Sequence, residues 1–440
     1  MNRLPPSTAS RSSRLERYRD KIARCVRCGT CRAVCPAFLP DRDESLSARG
    51  RMALIEAVLE GRLTVSALYQ DRLETCTGCL ACEATCPSGV PVTEIVQAAK
   101  EEAVRLEGRG LIHRMVSASL ADERLMRGLA WVAPIVLRYA GKSVTGRGIL
   151  MRNAECGLRN GKTGAWGGSE RCRMQDAGSR KSQKPQRRIA FFPGCAVAFF
   201  QRDIERASVN VLNALGYEVI IPDGLECCGR PHLGLGDRTA AEASAHRNTA
   251  VLSSLDVDAV VTACASCGLT FKKEYPTLLA PSGRQPVPVL DIHELLAGKI
   301  SGTVNTAVQG KVTWHDPCHL GRGQGLSRTA RTVLHAIPGL VLREMDAPDR
   351  CCGFGGVMRV SHHRLSDRIG EAKAVDIITT GASMVITGCP GCRMQIADSL
   401  RRAGSHAVVV HTVQVVEKAL GVRGTEPVAA GFSLREGKNE

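Results

Sequence analysis

Eighteen of the twenty cysteines in this 440-residue sequence fall into four groups, built from two spacings that are each used twice. The first spacing is CxxCxxCxxxCP: Cys25, Cys28, Cys31 and Cys35 before Pro36, then Cys76, Cys79, Cys82 and Cys86 before Pro87. Three thiolates held two residues apart can wrap a loop around one face of a [4Fe-4S] cubane, and at this spacing the fourth ligand comes from the other run. One cubane is therefore expected on Cys25, Cys28, Cys31 and Cys86, and a second on Cys76, Cys79, Cys82 and Cys35. Zinc also accepts CxxC pairs, but its motifs join two such ligands to two distant ones. Two full runs, each with a trailing proline, favour iron and sulfide.

The second spacing is a lone Cys, a CCG and a CxxC spread over roughly seventy residues: Cys195, Cys227, Cys228, Cys264 and Cys267, then Cys318, Cys351, Cys352, Cys389 and Cys392. Five cysteines exceed the four that a cubane uses. Neighbours such as Cys227 and Cys228 cannot both point the same way from an extended backbone, which implies a cluster of unusual shape or a thiol that is not a permanent ligand. Gly229 and Gly353 are expected where backbone must approach inorganic sulfide. Structural zinc and a redox-active dithiol remain open alternatives. His319 and His232 could hydrogen-bond a cluster sulfur or serve as capping or surface residues, and Cys156 and Cys172 read as free thiols. Gly321, Gly323 and Gly325 stop short of a dinucleotide fingerprint because Leu326 stands where GxGxxG needs glycine, so this stretch reads as a loop beside the cluster. No other flavin or nicotinamide fingerprint and no Walker loop is present.

These residues must be positioned by more than one core, since 440 residues exceed what a single core serves. Residues 14–110 have helical periodicity, with ARGRMALIEAVLEG and VSALYQDRLETC between the two cysteine runs and a further helix from Val92 to Leu106. Leu111 to Arg138 reads as one or two amphipathic helices, followed by about fifty Gly-, Arg- and Ser-rich residues to about 187, long enough to separate domains. The remainder is an internal repeat. Cys195 and Cys318 are 123 positions apart, Cys227 and Cys351 124, Cys264 and Cys389 125. Each copy, 188–300 and 310–421, alternates strands with helices: RIAFFP, YEVIIP and DAVVTA, then KVTWHD, LVLREM and SMVITG. That alternation implies α/β modules with mainly parallel pairing, whose cysteines follow the carboxyl ends of strands. The fold class expected is a multidomain α and α/β protein.

The formal charge of +16 is uneven, with 19 Lys and Arg against 8 Asp and Glu between Lys100 and Ala190. This segment is either a solvated linker or a surface for anionic headgroups or an acidic partner. Aromatics make up 4% of residues, too few for the stacking platforms of single-strand binders, and no nucleic-acid partner is expected. The longest apolar run, Gly128 to Leu137, is about half a membrane span. Many cysteines in a long chain without an apolar leader suit a reducing cytoplasm better than a disulfide scaffold.

The order of these parts resembles the iron–sulfur subunit of glycolate oxidase. The resemblance runs from about residue 20 to 420 and is carried by CVRCGTCRAVCPAF, CTGCLACEATCPSGVPV, FFPGC, ECCGRP, ACASC, DPCHLGRG, RCCGFGG and TGCPGC. Similar architectures occur in the iron–sulfur subunits of D-lactate and anaerobic glycerol-3-phosphate dehydrogenases and of heterodisulfide reductases. The resemblance implies an N-terminal two-cluster ferredoxin-type domain carrying two [4Fe-4S] cubanes. It also implies a pair of CCG modules whose five cysteines each hold a further, non-cubane [4Fe-4S] cluster. A separate FAD-containing subunit would oxidise a 2-hydroxy acid, and this chain would pass the electrons toward a quinone or cytochrome. The chain itself would be cytoplasmic, either free or peripheral on the cytoplasmic face of the membrane. Complete modules in both copies lean toward the lactate or heterodisulfide type.

Overall fold

The computed structural model describes residues 14–108, 110–121, 125, 187–280, 287–304 and 306–422. Cys156, Cys172, most of the basic segment and the apolar run Gly128–Leu137 lie outside the described residues.

The first cysteine runs sit in a small helical body. Helix Ala48–Leu59 begins at Ser47, whose hydroxyl accepts from the Gly50 amide, and Val92–Glu107 closes the body as the periodicity predicts. Ile55, Leu73 and Ile95 meet in its fully buried core. Arg51 is also buried and is used as a tie: Nε donates to the Arg72 carbonyl at 2.9 Å and Nη2 to Thr75 Oγ1 at 2.5 Å. A buried guanidinium needs such acceptors, and these hold the chain just ahead of Cys76.

Each repeat folds around a four-stranded parallel sheet. The first contains β1 (Arg187–Phe191), β2 (Tyr217–Ile220), β3 (Ala259–Thr262) and β4 (Val289–Asp291), in the order β2-β1-β3-β4. The second contains β5 (Gly310–His315), β6 (Leu340–Leu342), β7 (Met384–Thr387) and β8 (Val408–His411), in the order β6-β5-β7-β8. Every pairing is parallel, with Ile189 opposite Ala259 and Val312 opposite Met384. The sequence pattern predicts three strands per copy; β4 and β8 are additional. Each leads straight into a helix, Ile292–Ala297 and Thr412–Ala419, through a capping box at Asp291 and at His411.

The two sheets share one core, with Phe191 and Val261 in the same buried cluster as Trp314 and Ile386. Their contacts are reciprocal. Helix Arg202–Ala214 of the first copy packs on Thr412–Ala419 of the second, while the equivalent pair, Ser327–His335 and Ile292–Ala297, packs the other way round. The copies are thus related by an approximate twofold axis, and equivalent parts close to that axis must meet.

The helical body docks directly on the second copy. Cys35, Phe38, Cys79 and Ala81 share a buried cluster with Cys351, Met358 and Ile369. Around it, Arg322 donates to the Cys79 carbonyl at 3.3 Å, His362 lies 3.0 Å from Asp71, and Arg368 pairs with Asp41. A spacer long enough to separate domains does not hold them apart here. Buried apolar contact and these polar ties bring the helical body and the second copy together, and the closure cost of a connection grows only slowly with its length.

Candidate metal centre

The CCG cysteines gather at the carboxyl ends of the strands. Cys195 lies in the first turn of Gly194–Phe200 after β1, and Cys318 opens Cys318–Gln324 after β5. Cys264 and Cys389 are the N-cap residues that follow β3 and β7, with Cys267 and Cys392 one turn later. The CCG loops follow β2 and β6. Gly229 and Gly353 adopt φ of +89° and +88°, and a Cβ would meet Ala241 at 3.3 Å and the Ser366 carbonyl at 2.6 Å. They let the loop turn left-handed and press against helix backbone.

Each module has one close pair of sulfurs. Cys195 and Cys227 lie 3.8 Å apart, and Cys352 and Cys392 3.4 Å. Cys227 interacts with Cys228, Cys228 with Cys267, and Cys267 with Cys264. Cys264 interacts with Cys389, its equivalent across the approximate twofold axis. Cys389 interacts with Cys392, Cys352 with Cys351, and Cys351 with Cys318 and with Cys79 of the helical body. The neighbouring thiols of Cys351 and Cys392 push Cys352 toward thiolate, and those of Cys264 and Cys392 do the same for Cys389. Cys227 is driven the opposite way by its bonds to Cys195 and Cys228 and by burial. Buried sulfurs this close cannot all ionise without positive charge among them. Iron would supply that charge, since a coordinating thiol is deprotonated by its metal.

In the helical body Cys82 interacts with Cys76, Cys79 and Cys35, and Cys35 with Cys79 and Cys76. Burial raises both thiols, as expected of a set that ionises only with metal. Cys31 lies among Cys35, Cys25 and Cys28 of its own run. Cys28 is the exposed member, its thiol lowered by the hydroxyl of Thr30 at 3.3 Å.

Both histidines singled out from sequence make hydrogen bonds to protein oxygens. His319 Nδ1 bonds Ser266 Oγ at 2.8 Å and its Nε2 faces the Gly78 carbonyl at 3.2 Å, joining both modules and the helical body. Burial lowers its pKa to about 4, so it stays neutral and can accept from the serine while donating to the carbonyl. His232 Nδ1 lies 3.0 Å from Ser117 Oγ, and that hydroxyl also donates to Asp237 at 2.5 Å. The stretch expected as a loop, Gly321 to Gly325, is instead the helix Cys318–Gln324 and its left-handed cap. Gly323 lets it approach Leu269 of the first module, where a Cβ would come within 3.0 Å.

One residue was missed. His315, at the end of β5, is 1% exposed, and neither ring nitrogen has a hydrogen-bond partner. Its ring nitrogen and the sulfurs of Cys352 and Cys392 all lie within 4.8 Å of one another. A buried imidazole with nothing to bond among protein groups costs about 1–3 kcal/mol per unsatisfied atom, and a cluster on these thiols would offer it a partner. The sequence signal was available: one position in a buried strand carries histidine in one copy and, 123 residues earlier, Phe192 in the other.

A cavity of about 200 Å³ opens between the thiol sets. Cysteines of both modules line it together with Cys76, and Lys100, Gln97 and Arg230 stand among its polar walls. Among the described residues no helix is long and apolar enough to cross a membrane.

Comparison with known proteins agrees with this architecture. A 4Fe-4S dicluster domain matches residues 21–90 and a cysteine-rich domain, CCG, matches twice, at 189–272 and 312–397. The chain is 39% identical to a subunit of the fumarate reductase (CoM/CoB) of Methanothermobacter marburgensis over 231 residues, 52% of this chain and 46% of that one. It thus spans less than half of that relative's length. It is 29% identical to a probable glycolate oxidase iron–sulfur subunit of Bacillus subtilis, covering 91% of this chain and 94% of that one. Against a subunit of the dihydromethanophenazine:CoB–CoM heterodisulfide reductase of Methanosarcina barkeri the identity is 28%, covering 90% and 94%.

Proposed function

We propose, because this chain belongs to the iron–sulfur proteins that join a 4Fe-4S dicluster domain to two CCG domains, that it is the electron-transfer subunit of a multi-subunit oxidoreductase. The finer reading is a flavin-dependent dehydrogenase of the glycolate type. A separate FAD subunit would remove electrons from a 2-hydroxy acid, and this chain would carry them toward a quinone or cytochrome acceptor. The observation that supports the reading is that the cysteines of the helical body and of both modules influence one another in a series, from Cys82 and Cys35 through Cys79, Cys351 and Cys389 to Cys264 and Cys195.

In this reading Cys25, Cys28, Cys31 and Cys86 hold one [4Fe-4S] cubane and Cys76, Cys79, Cys82 and Cys35 the other, and each module's five cysteines hold a further cluster. Bound there, iron–sulfur clusters supply one-electron redox chemistry at potentials tuned by their surroundings. The protein's own residues do the rest. The buried contacts of Cys79 with Cys351 fix the spacing between the helical body and the second module, and Ser266, His319 and Gly78 lock three bodies in one register. Cys28 is exposed and Cys195 half-buried, which suits electron partners docking at opposite ends of the series.

The cavity between the two thiol sets favours a second reading, in which a small disulfide is reduced there, as in the heterodisulfide reductases. One experiment separates the two. The anaerobically purified chain is mixed with its FAD-containing partner, and the paramagnetic clusters are followed after adding glycolate or D-lactate, or a disulfide with an artificial donor. Reduction by a hydroxy acid that requires the flavin partner supports the dehydrogenase. Turnover of the disulfide by this chain alone supports the second reading, and clusters that stay oxidised with either hydroxy acid sink the first.

A further inference from the structure

The duplicated modules differ at one position that faces their sulfurs. Counting back from Cys318 and from Cys195 by three residues gives His315 in the second copy and Phe192 in the first. Both are buried at the carboxyl end of the strand, β1 or β5, that leads into the lone cysteine. Phe192 is satisfied by packing, its ring edge-on to Phe271 with centroids 4.7 Å apart. His315 has no such resolution, because its two nitrogens find no donor or acceptor among the described residues. Cys352 and Cys392, which themselves lie 3.4 Å apart, are the sulfurs gathered around it.

We propose that His315 is a sixth protein contact of the second module's cluster, made through a ring nitrogen, and that it raises the reduction potential of that cluster above what five thiolates would set. The proposal rests on the cluster assignment given above. Three lines of chemistry point the same way. A buried unpaired imidazole is destabilising unless something within the same pocket bonds it. Two thiolates and an imidazole within 4.8 Å of one another form a donor set iron accepts. Both routes open to the nitrogen, a bond to iron or an N–H donated to a sulfur, withdraw electron density from the cluster, and nitrogen in place of thiolate is known to raise iron–sulfur potentials. The first module has a hydrocarbon ring at this place and lacks the effect. Duplication therefore produced two unequal sites, with the extra donor beside the one that touches the helical body. His315 acts as a positioning and tuning residue of the relay.

The test uses the whole chain, reconstituted anaerobically, with histidine carrying either ¹⁴N or ¹⁵N. Electron–nuclear double resonance on the reduced modules is expected to show a histidine nitrogen coupled to one of the two module signals, strongly if it is bonded to iron and weakly if it hydrogen-bonds sulfur. His315→Phe, which copies the first module, should abolish that coupling and shift the midpoint of the same signal downward in a dye-mediated titration. Phe192→His should shift the other module's midpoint upward. Absence of any histidine coupling in the unaltered chain overturns the proposal, as does a midpoint that His315→Phe leaves in place. The labelled unaltered protein decides the contact even where a variant folds poorly. Iron analysis separates this failure from failure of the functional reading. Iron near eight rather than about 16 atoms per chain removes the module clusters altogether, whereas full iron without nitrogen coupling removes only the role of His315.

Discussion

Replacing Gly353 by alanine should cost the second module its metal while leaving the chain folded. Gly353 follows Cys352 directly and sits at φ +88°, where a Cβ would stand 2.6 Å from the Ser366 carbonyl, 3.0 Å from Ile369 Cβ and 3.1 Å from the Gly370 nitrogen. Those are atoms of helix His363–Ile378, which is itself locked against Pro390–Arg402. Reaching an ordinary contact of 3.4 Å requires the loop to retreat by about 0.8 Å, carrying Cys351 and Cys352 away from Cys389 and Cys392. Metal–ligand bonds tolerate about 0.2 Å, so the displacement exceeds the margin several-fold. The left-handed backbone adds about 1–2 kcal/mol and the overpacking about 1–3, which a chain this size can survive. The readouts are iron per chain and the thermal midpoint: iron should fall by about a quarter. Gly356→Ala, at φ +59° with nothing within 4 Å, carries only the backbone cost and should keep its iron. Gly229→Ala, whose Cβ contact is 3.3 Å, should lose stability but retain most iron. A Gly353→Ala chain with the full complement of iron would refute the idea that this loop is a rigid frame for its thiols.

Other expectations follow from the same contacts. Cys79→Ser should alter the signal of the second module as well as removing a cubane, because its sulfur touches Cys351. Cys28→Ser, at the exposed end, should leave both modules' spectra unchanged, and an unaltered second-module spectrum in the Cys79 variant would contradict the docked arrangement. Arg359 is 7% exposed and bonds Asp398, which is fully buried, at 2.9 Å, with Asp367 as a second partner. Arg359→Met should lower the free energy of unfolding by about 2–3 kcal/mol. That is less than the 3–5 typical of a broken buried pair, because Arg401 and Arg402 still face Asp398; chemical denaturation measures it. His411 is fully buried and burial lowers its pKa from 6.5 to about 4. The unfolded chain then binds the proton more readily. The stability this represents is complete above pH 6.5 and is lost as pH falls through 4, up to about 3 kcal/mol. His411→Asn, which keeps a capping side chain, should flatten that dependence relative to the parent, and equal slopes would count against it.

The cysteines were legible from sequence because thiolate ligands obey strict spacing, and so was the repeat, because its spacing drifts by only one residue per segment. The central strands were legible for a similar reason, as buried parallel strands read as continuous apolar runs. β4 was not, since Val289–Asp291 is three residues long and follows a stretch rich in proline. β8 was obscured because VVVHTVQVV runs from strand into helix with no break in its apolar character. The docking of the helical body left no periodic signature. It depends on Cys79, Ala81, Phe38 and Met358, residues far apart in sequence whose patterns suit a private core equally well. His315 was marked in the sequence only by a difference between the copies, histidine where the first has Phe192, and which sulfurs it faces shows only in the structure.

The approximate twofold axis explains why the module occurs twice. In one copy alone, Arg202–Ala214 would expose the face that carries Ile204, Ala207 and Val211, all of which are buried here in the core shared by both sheets. Only a second copy can cover it in the reciprocal manner observed. Once that packing is set, the loops after β3 and β7 have no freedom to part, and Cys264 must come up against Cys389. Joining the two metal sites is thus a consequence of burying the two sheets together and needs no further device. Direction comes from what breaks the symmetry: the helical body docks on Cys351 and not on its equivalent Cys227, and a histidine stands in the second module where the first has phenylalanine. Gln201, which donates to the Pro390 carbonyl and accepts from Arg393, lies fully buried on the module interface. Gln201→Ala should therefore weaken the spin coupling between module clusters before it lowers their iron content. Coupling that survives while iron is lost would mean that each module assembles its site alone.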